Sequence, residues 1–262
     1  MLSIERGTRA FSRLMIAVYI IILLVPALSL ALYSGTGGLA GILLNRAALD
    51  SIKLGMYTSA LSLLATFAFG TPAAFYISSR KKKLLAGFLD IFFQIPVVLP
   101  PAAAGIGLLL AFGRNGFMGR LLGGLGINMV FTPAAVVMAQ FFVSSAFYVQ
   151  VLKTAVEDIP QELYEASYVM GAGRSETVIR VMLPMTRKAV ISGLLLSYIR
   201  ALGEFGTTIM FAGNIAEKTR TIPLQIYTFL QTDMVSAAAL ASLLYIGSFT
   251  LLFIVKAFLG KG

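Results

Sequence analysis

The 262-residue chain is 58% hydrophobic and only 12% charged, with a mean hydropathy of +0.88 and a formal net charge of +10. Soluble domains carry about 25% charged residues, so this chain lacks the polar surface a water-facing globule needs, and a soluble enzyme is excluded. It contains no Cys, no His and no Trp. Zinc sites built on thiolate or imidazole, c-type haem attachment, thiol nucleophiles and imidazole acid–base catalysis are thereby removed, and no metal site is expected.

A hydrocarbon core about 30 Å thick takes roughly 20 mostly apolar residues as a helix. Six stretches qualify: Leu14–Tyr33, Met56–Ile77, Ala86–Phe112, Pro133–Leu152, Ala189–Phe211 and Val235–Phe258. They are too long and too continuously apolar for barrel strands, which alternate. The expectation is an all-α membrane protein with six transmembrane helices, the whole chain 1–262 forming one membrane domain. An even number of crossings puts both termini on one side.

Lys and Arg decide which side. The face bearing the N-terminus receives fourteen of them: Arg6, Arg9, Arg13, the run Arg80–Lys83, Lys153, Arg174, Arg180, Arg187, Lys188, Lys256 and Lys261. The other face receives six: Arg46, Lys53, Arg114, Arg120, Lys218 and Arg220. The positive-inside rule makes the first face cytoplasmic. Topology thus accounts for the basic excess, and no nucleic-acid partner is expected. The first span follows Arg13 as a secretory signal would, but it is about 20 residues long and no clean small-x-small cleavage site ends it before a polar mature domain, which reads as a retained helix.

The third span carries Pro96, Pro100 and Pro101, followed by Gly105 and Gly107. Proline removes a backbone donor and clashes with the preceding turn, so this span should be kinked or broken. Broken spans are tolerated where they face protein or a water-filled path, and they point to transport sites. Kinks for packing alone also occur. Pro100, Pro101 and Gly105 are accordingly candidate pathway residues, and Asp90 reads as an interfacial acid close to Arg80–Lys83.

Between spans four and five lies the longest polar interval, Lys153 to Lys188, with five acids and five bases. Asp158 can cap a helix whose first turn holds Pro160, Gln161 and Glu162. Ile159, Leu163, Ala166 and Met170 recur at helical spacing to give one apolar face, and Gly171 stops the run. Ser175 can cap a second helix containing Thr177–Leu183, ended by Pro184. Such a pair either lies on the membrane surface or docks a soluble partner helix-in-groove. Its polar side is mostly acidic, which disfavours a lipid surface and favours a partner.

Arg200 falls at the middle of span five, with Glu204 at i+4 on nearly the same face. Ionised groups at mid-bilayer are costly unless paired. The two either form a structural pair that orients the helix or line the translocation path, with Arg200 drawing an anion. Gly193, Ser197 and Ala201 make a small-xxx-small stripe beside them, suited to packing within one subunit or between two copies. The interval Asn214–Met234, with Glu217, Lys218, Arg220 and Asp233, reads as a solvated outer loop.

Glu165-Ala166-Ser167, then Gly171-Ala172, then Val181-Met182-Leu183-Pro184 resembles the EAA loop of permease subunits of ATP-driven importers, with Ser167 in place of the second Ala. Leu99-Pro100-Pro101 with Gly105, the segment Gly113–Gly119, Arg200–Thr208 and Thr219–Pro223 resemble the molybdate permeases of that group. Tungstate and sulfate permeases share the Gly-Glu-Phe-Gly segment.

The resemblance implies a type I ABC importer-like fold in the prokaryotic plasma membrane, alternating access between two copies of the chain, and import of molybdate or tungstate. It makes Glu165, Ala166, Ser167, Gly171 and Ala172 the residues that couple to a separate ATPase subunit, present in two copies. That partner would hold ATP and Mg; the chain itself would need no cofactor, and it has no G-x-x-x-x-G-K-[ST]. An extracytoplasmic oxyanion-binding protein and membrane lipid complete the implied partners. The alternatives are a sulfate or thiosulfate permease and an ion-coupled secondary transporter. The latter would want several ionisable groups inside the spans.

Overall fold

The structure, a computed structural model, describes residues 2–78 and 84–259, and among them every regular element is helical. The helices are α1 (Leu2–Ile42), α2 (Arg46–Ser78), α3 (Leu84–Val98), α4 (Pro101–Phe112), α5 (Phe117–Gly124), α6 (Pro133–Glu157), α7 (Gln161–Val169), α8 (Arg174–Thr177), α9 (Leu183–Met185), α10 (Arg187–Leu202), α11 (Gly206–Phe211), α12 (Ile222–Leu230) and α13 (Met234–Leu259), with a π-helix at Val178–Met182 between α8 and α9.

Among the described residues, four segments are single helices long and apolar enough to cross a membrane: Phe11–Ile42, Arg46–Ser78, Pro133–Glu157 and Met234–Ala257. The first three contain the first, second and fourth expected spans and extend beyond them, because helix continues into flanking turns that a hydropathy window leaves out. The last matches the sixth to within one residue at each end. Within α1 the backbone departs from helical geometry at Gly35 (φ 60°, ψ 178°).

The third expected span is two helices, Gly87–Val98 and Pro101–Phe112, bent by 110°. The break falls where the prolines placed it. The fifth is not the continuous helix expected: α10 ends at Leu202, and α11 begins at Gly206. The interval Asn214–Met234 is not simply a solvated loop either. It contains α12, whose Ile222, Leu224 and Gln225 are buried, because Ile222 and Ile226 complete an apolar cluster with α2 and α13.

Helix α6 is the axis of the bundle. A helix of 25 residues is about 37 Å long, and it carries a separate apolar cluster at each end. Near Pro133, Ala135, Val136 and Ala139 pack with Leu108 of α4 and with Phe211 and Ala212. Toward Glu157, Tyr148, Val149, Leu152 and Val156 pack with Phe75 of α2, and Leu89 and Phe93 of α3, Met182 of the π-helix and Leu194 of α10 join them. Helices α3 and α4 therefore pack toward opposite ends of α6, as do the start of α10 and α11.

Small residues let these helices approach. The Tyr148 ring is fully buried between Gly70 and Gly193, where added Cβ atoms would lie 2.9 and 3.0 Å from it. Gly193, Ser197 and Ala201 are all buried within the chain, so the stripe on α10 serves packing inside the subunit. Tyr148 also exchanges a 2.6 Å hydrogen bond with Thr71, and the Gln140 amide donates to Ser59 Oγ at 3.1 Å. Loss of the first bond in Tyr148→Phe should cost about 1 kcal/mol, read as a lower thermal midpoint in detergent with uptake preserved.

Candidate functional site

The two breaks meet. Proline at 101 starts α4, since a first-turn residue needs no N–H partner. Thr207, in the first turn of α11, donates its hydroxyl to the Pro101 carbonyl at 3.0 Å. Gly206 lies against the Pro101 ring, and a Cβ there would sit 2.8 Å from it. Gly105, one turn along α4, faces the Thr207 backbone so closely that a Cβ would be 2.7 Å from the Thr207 carbonyl oxygen and from Met210 Cβ.

Glu204 ties this junction to α10. One carboxylate oxygen lies 2.6 Å from the Arg200 guanidinium, and the other accepts the Thr207 backbone N–H at 2.8 Å. The Glu204 side chain is 1% exposed and that of Arg200 is 29% exposed. Glu204 thus neutralises a cation on one helix and satisfies an orphan donor at the start of the next. Pro101, Gly105 and Glu204 meet at Thr207, with Arg200 joined through Glu204 and Pro100 one residue before the junction. Sequence alone assigns Thr207 no separate role; the one pattern that points to it is its place three residues after Glu204, the spacing at which an acid accepts a backbone N–H.

The second site is the segment after α6. The sequence assigned Asp158 to cap the next helix, but it closes α6 instead, donating its N–H to Thr154. Helix α7 starts directly after Pro160, which leaves a short, rigid turn. Its end follows the expectation. Gly171 takes φ +83°, its N–H bonds Tyr168 O at 2.9 Å, and the Ala172 N–H bonds Ser167 O at 3.0 Å. This is the Schellman arrangement that a left-handed glycine permits. Ser175 caps nothing. It lies inside the short α8, and the π-helix and α9 carry the chain through Pro184 to Thr186.

The apolar face read from the spacing is mostly left uncovered by the chain's own bundle. Ile159 packs against the bundle, but Leu163, Ala166 and Met170 face outward, with Met170 79% exposed and Val169 88%. The inward face consists of Tyr164 and the fully buried Ser167, whose hydroxyl bonds Thr177 Oγ1 at 2.9 Å. Burial, with a smaller contribution from nearby Tyr168, raises the Tyr164 phenol above its ordinary pKa. Glu165 is exposed and accepts a hydrogen bond from Gln161 at 3.1 Å. The helix is therefore clamped from behind by one small hydroxyl while offering apolar and acidic side chains in front.

Behind it lies a groove of about 1140 Å³ whose walls include Pro72 and Phe75 of α2, Val156 of α6, Tyr164 and Tyr168 of α7, and Val178, Ile179 and Met182 of the π-helix. Asp90 of α3 is paired with Lys153 of α6 at 2.7 Å; the run Arg80–Lys83, to which the sequence placed it close, lies outside the described residues. The interval after α11 is ordered by Arg220, whose Nε donates to Asn214 Oδ1 at 2.8 Å.

Residues 66–261 match the family described as "Binding-protein-dependent transport system inner membrane component". The chain is 53% identical over 240 residues to the probable transport system permease protein NifC of Clostridium pasteurianum, covering 92% of this chain and 84% of that one. It is 38% identical over 196 residues to the molybdenum transport system permease protein ModB of Mycobacterium tuberculosis, covering 75% and 74%. It is 33% identical over 229 residues to the sulfate transport system permease protein CysW of Synechococcus elongatus, covering 84% and 79%. In fold it is similar to a chain of a bacterial ABC transporter involved in the import of the acidic polysaccharide alginate, with a TM-score of 0.74 at 17% identity over 99% of this chain and 97% of that one. The chain belongs to the family of inner-membrane components of binding-protein-dependent transport systems, and it is a transport permease, not an enzyme.

Proposed function

We propose that this permease is the membrane-spanning subunit of an ATP-driven importer of molybdate or tungstate. The observation that carries the reading is α7: a helix held rigidly from behind by Ser167 and Thr177, closed by Gly171, with Leu163, Ala166, Met170 and the acid Glu165 turned outward. Those are the features of a helix that seats in the groove of another protein. In this reading Glu165, Ala166, Ser167, Gly171 and Ala172 form the contact with an ATPase subunit, one per permease copy.

The chain crosses the membrane six times. The packing of α3 and α4 at opposite ends of α6, and likewise of α10 and α11, supports counting each broken pair as one crossing. The Lys and Arg asymmetry puts both termini and α7 in the cytoplasm. Two copies of the chain pair around the path, and an oxyanion-binding protein delivers substrate at the opposite face. ATP-driven closure of the two ATPases moves α7, and the path between the copies opens outward. The junction of α4 with α11 lines that path, with Pro100, Pro101 and Gly105 at its elbow and the pair Arg200–Glu204 holding it. The molybdenum relative is 38% identical to this chain over its matched residues and the sulfate relative 33% over its own, which supports molybdate ahead of sulfate.

The test is purification of the tagged permease from native membranes in mild detergent, with quantitation of what accompanies it. A P-loop ATPase at one copy per permease is the expected companion. Glu165→Ala and Gly171→Val should insert normally yet hydrolyse ATP without uptake. At Gly171 the substitution also carries a backbone penalty of about 1–2 kcal/mol for a left-handed side-chain residue. Normal uptake by both variants would remove α7 from the coupling role.

A further inference from the structure

The segment that joins α7 and α8 to α10 is not α-helical throughout. Val178–Met182 is a π-helix, in which the Leu183 N–H reaches back to Val178 O, five residues away. Five-residue reach widens a turn by one residue, and such turns are rare outside functional sites. The cause lies in the sequence. Pro184 has no N–H to give the Arg180 carbonyl, and its ring crowds that carbonyl. The turn before it opens, and regular bonding resumes only after it, with the Thr186 N–H on Met182 O at 2.9 Å.

The wide turn stands between two rigid bodies. On one side, the Ser167–Thr177 bond fastens α7 to α8 at 2.9 Å. On the other, the Val190 N–H bonds Thr186 O at 2.9 Å and α10 runs unbroken to Leu202. Val178 and Met182 reach into the apolar cluster at the Glu157 end of α6. Ile179 projects outward, 64% exposed, although it borders the groove of about 1140 Å³. The lining of this groove is mixed, with Glu157, Gln161 and Arg174 beside Pro72, Phe75 and Val156, and Ile179 at its edge keeps apolar area that deeper insertion would bury.

We propose that the Pro184-widened turn Val178–Met182 is the joint at which the coupling unit α7–α8 moves relative to α10, and that closing it carries Ile179 into the adjoining groove. Removing one residue from a helical turn rotates the preceding segment by about 100° and shifts it by about 1.5 Å. A π-to-α conversion would therefore reorient α7 without unfolding either neighbouring helix. Pro184 acts in this as a positioning residue: it keeps the turn open in the resting state and touches no substrate. The inference rests on α7 being the contact with the ATPase.

The experiment uses the permease–ATPase complex in lipid, with hydrogen–deuterium exchange over residues 178–183 compared between nucleotide-free and vanadate-trapped states. Exchange should differ between the states in this window and stay unchanged in α10. Pro184→Ala restores the missing N–H, so it should abolish that difference and lower uptake per ATP hydrolysed by about tenfold, within the usual range of coupling between sites. Ile179→Asp leaves the exposed resting position undisturbed and should keep the thermal midpoint and ATPase association of the parent while losing uptake; Ile179→Leu should behave as the parent. Identical exchange in the two states, or normal uptake per ATP in both Pro184→Ala and Ile179→Asp, would overturn the joint. Failure of the parent chain to associate with any ATPase would instead overturn the coupling reading, and the joint with it.

Discussion

Glu204→Ala should be more damaging than the simultaneous removal of Arg200 and Glu204. Glu204 is 1% exposed and satisfies two groups at once, the Arg200 guanidinium and the Thr207 N–H. Stranding one member of a fully buried ion pair costs about 3–5 kcal/mol. Arg200 keeps 29% exposure, and solvent screening reduces the expected loss to about 2–3 kcal/mol. In Arg200→Ala with Glu204→Ala no charge is stranded, and only the acceptor at the start of α11 is missing, a loss of about 1 kcal/mol. Thermal unfolding in detergent should therefore rank the parent above the double variant, and the double variant above Glu204→Ala. Uptake separates the two roles of the pair. A folded double variant that retains most of its transport fits a pair that holds the α10–α11 break. Loss of transport in a well-folded double variant would place these side chains on the path itself.

A methyl group added at Gly105 should separate α4 from α11, whereas the same change at Gly107 should not. A Cβ at 105 would sit 2.7 Å from the Thr207 carbonyl oxygen and 3.0 Å from Thr207 Cα, both backbone atoms that cannot rotate away. Overpacking of this kind costs about 1–3 kcal/mol, and loss of the Thr207–Pro101 hydrogen bond adds about 1 kcal/mol. Around Gly107 nothing lies within 4 Å, and alanine is the better helix former by about 1 kcal/mol. Gly107→Ala should be neutral or slightly stabilising. Equal behaviour of the two alanine variants would show that α4 and α11 are not locked together at Gly105.

Much of this was legible from residue order. The proline cluster marked the break in the third span, which the structure puts between Val98 and Pro101. Gly171 adopts the left-handed conformation expected of a helix stop. Arg200 and Glu204 meet as an i, i+4 pair should. The break after Leu202 was missed because apolar residues continue past it to Phe211, and hydropathy carries no information on whether a backbone is interrupted. What opens the helix there is the carboxylate of Glu204, which gives α11 a separate start. The burial of α12 was missed because the charges around it in Asn214–Met234 masked a short apolar face that residues of α1, α2, α10 and α13, distant in sequence, cover.

The outward face of α7 illustrates the same limit. Spacing identified Leu163, Ala166 and Met170 as one side of a helix, but not which side the bundle would cover. Tyr164 and Ser167 took the inward position because Thr177, ten residues away, returns to meet the Ser167 hydroxyl. Asp90 likewise meets Lys153, a residue on another helix and distant in sequence.

Residue order alone was enough for the membrane environment, the helical class, the proline break and the glycine stop, because each depends on composition or on the conformational limits of a few consecutive residues. Long-range packing chose among the remaining possibilities: that the α10 stripe packs against α6, that the two broken spans lock at Gly105 and Thr207, and that α7 turns its apolar side outward. These outcomes depend on which distant groups can approach within van der Waals or hydrogen-bonding distance, and that is a property of the assembled bundle.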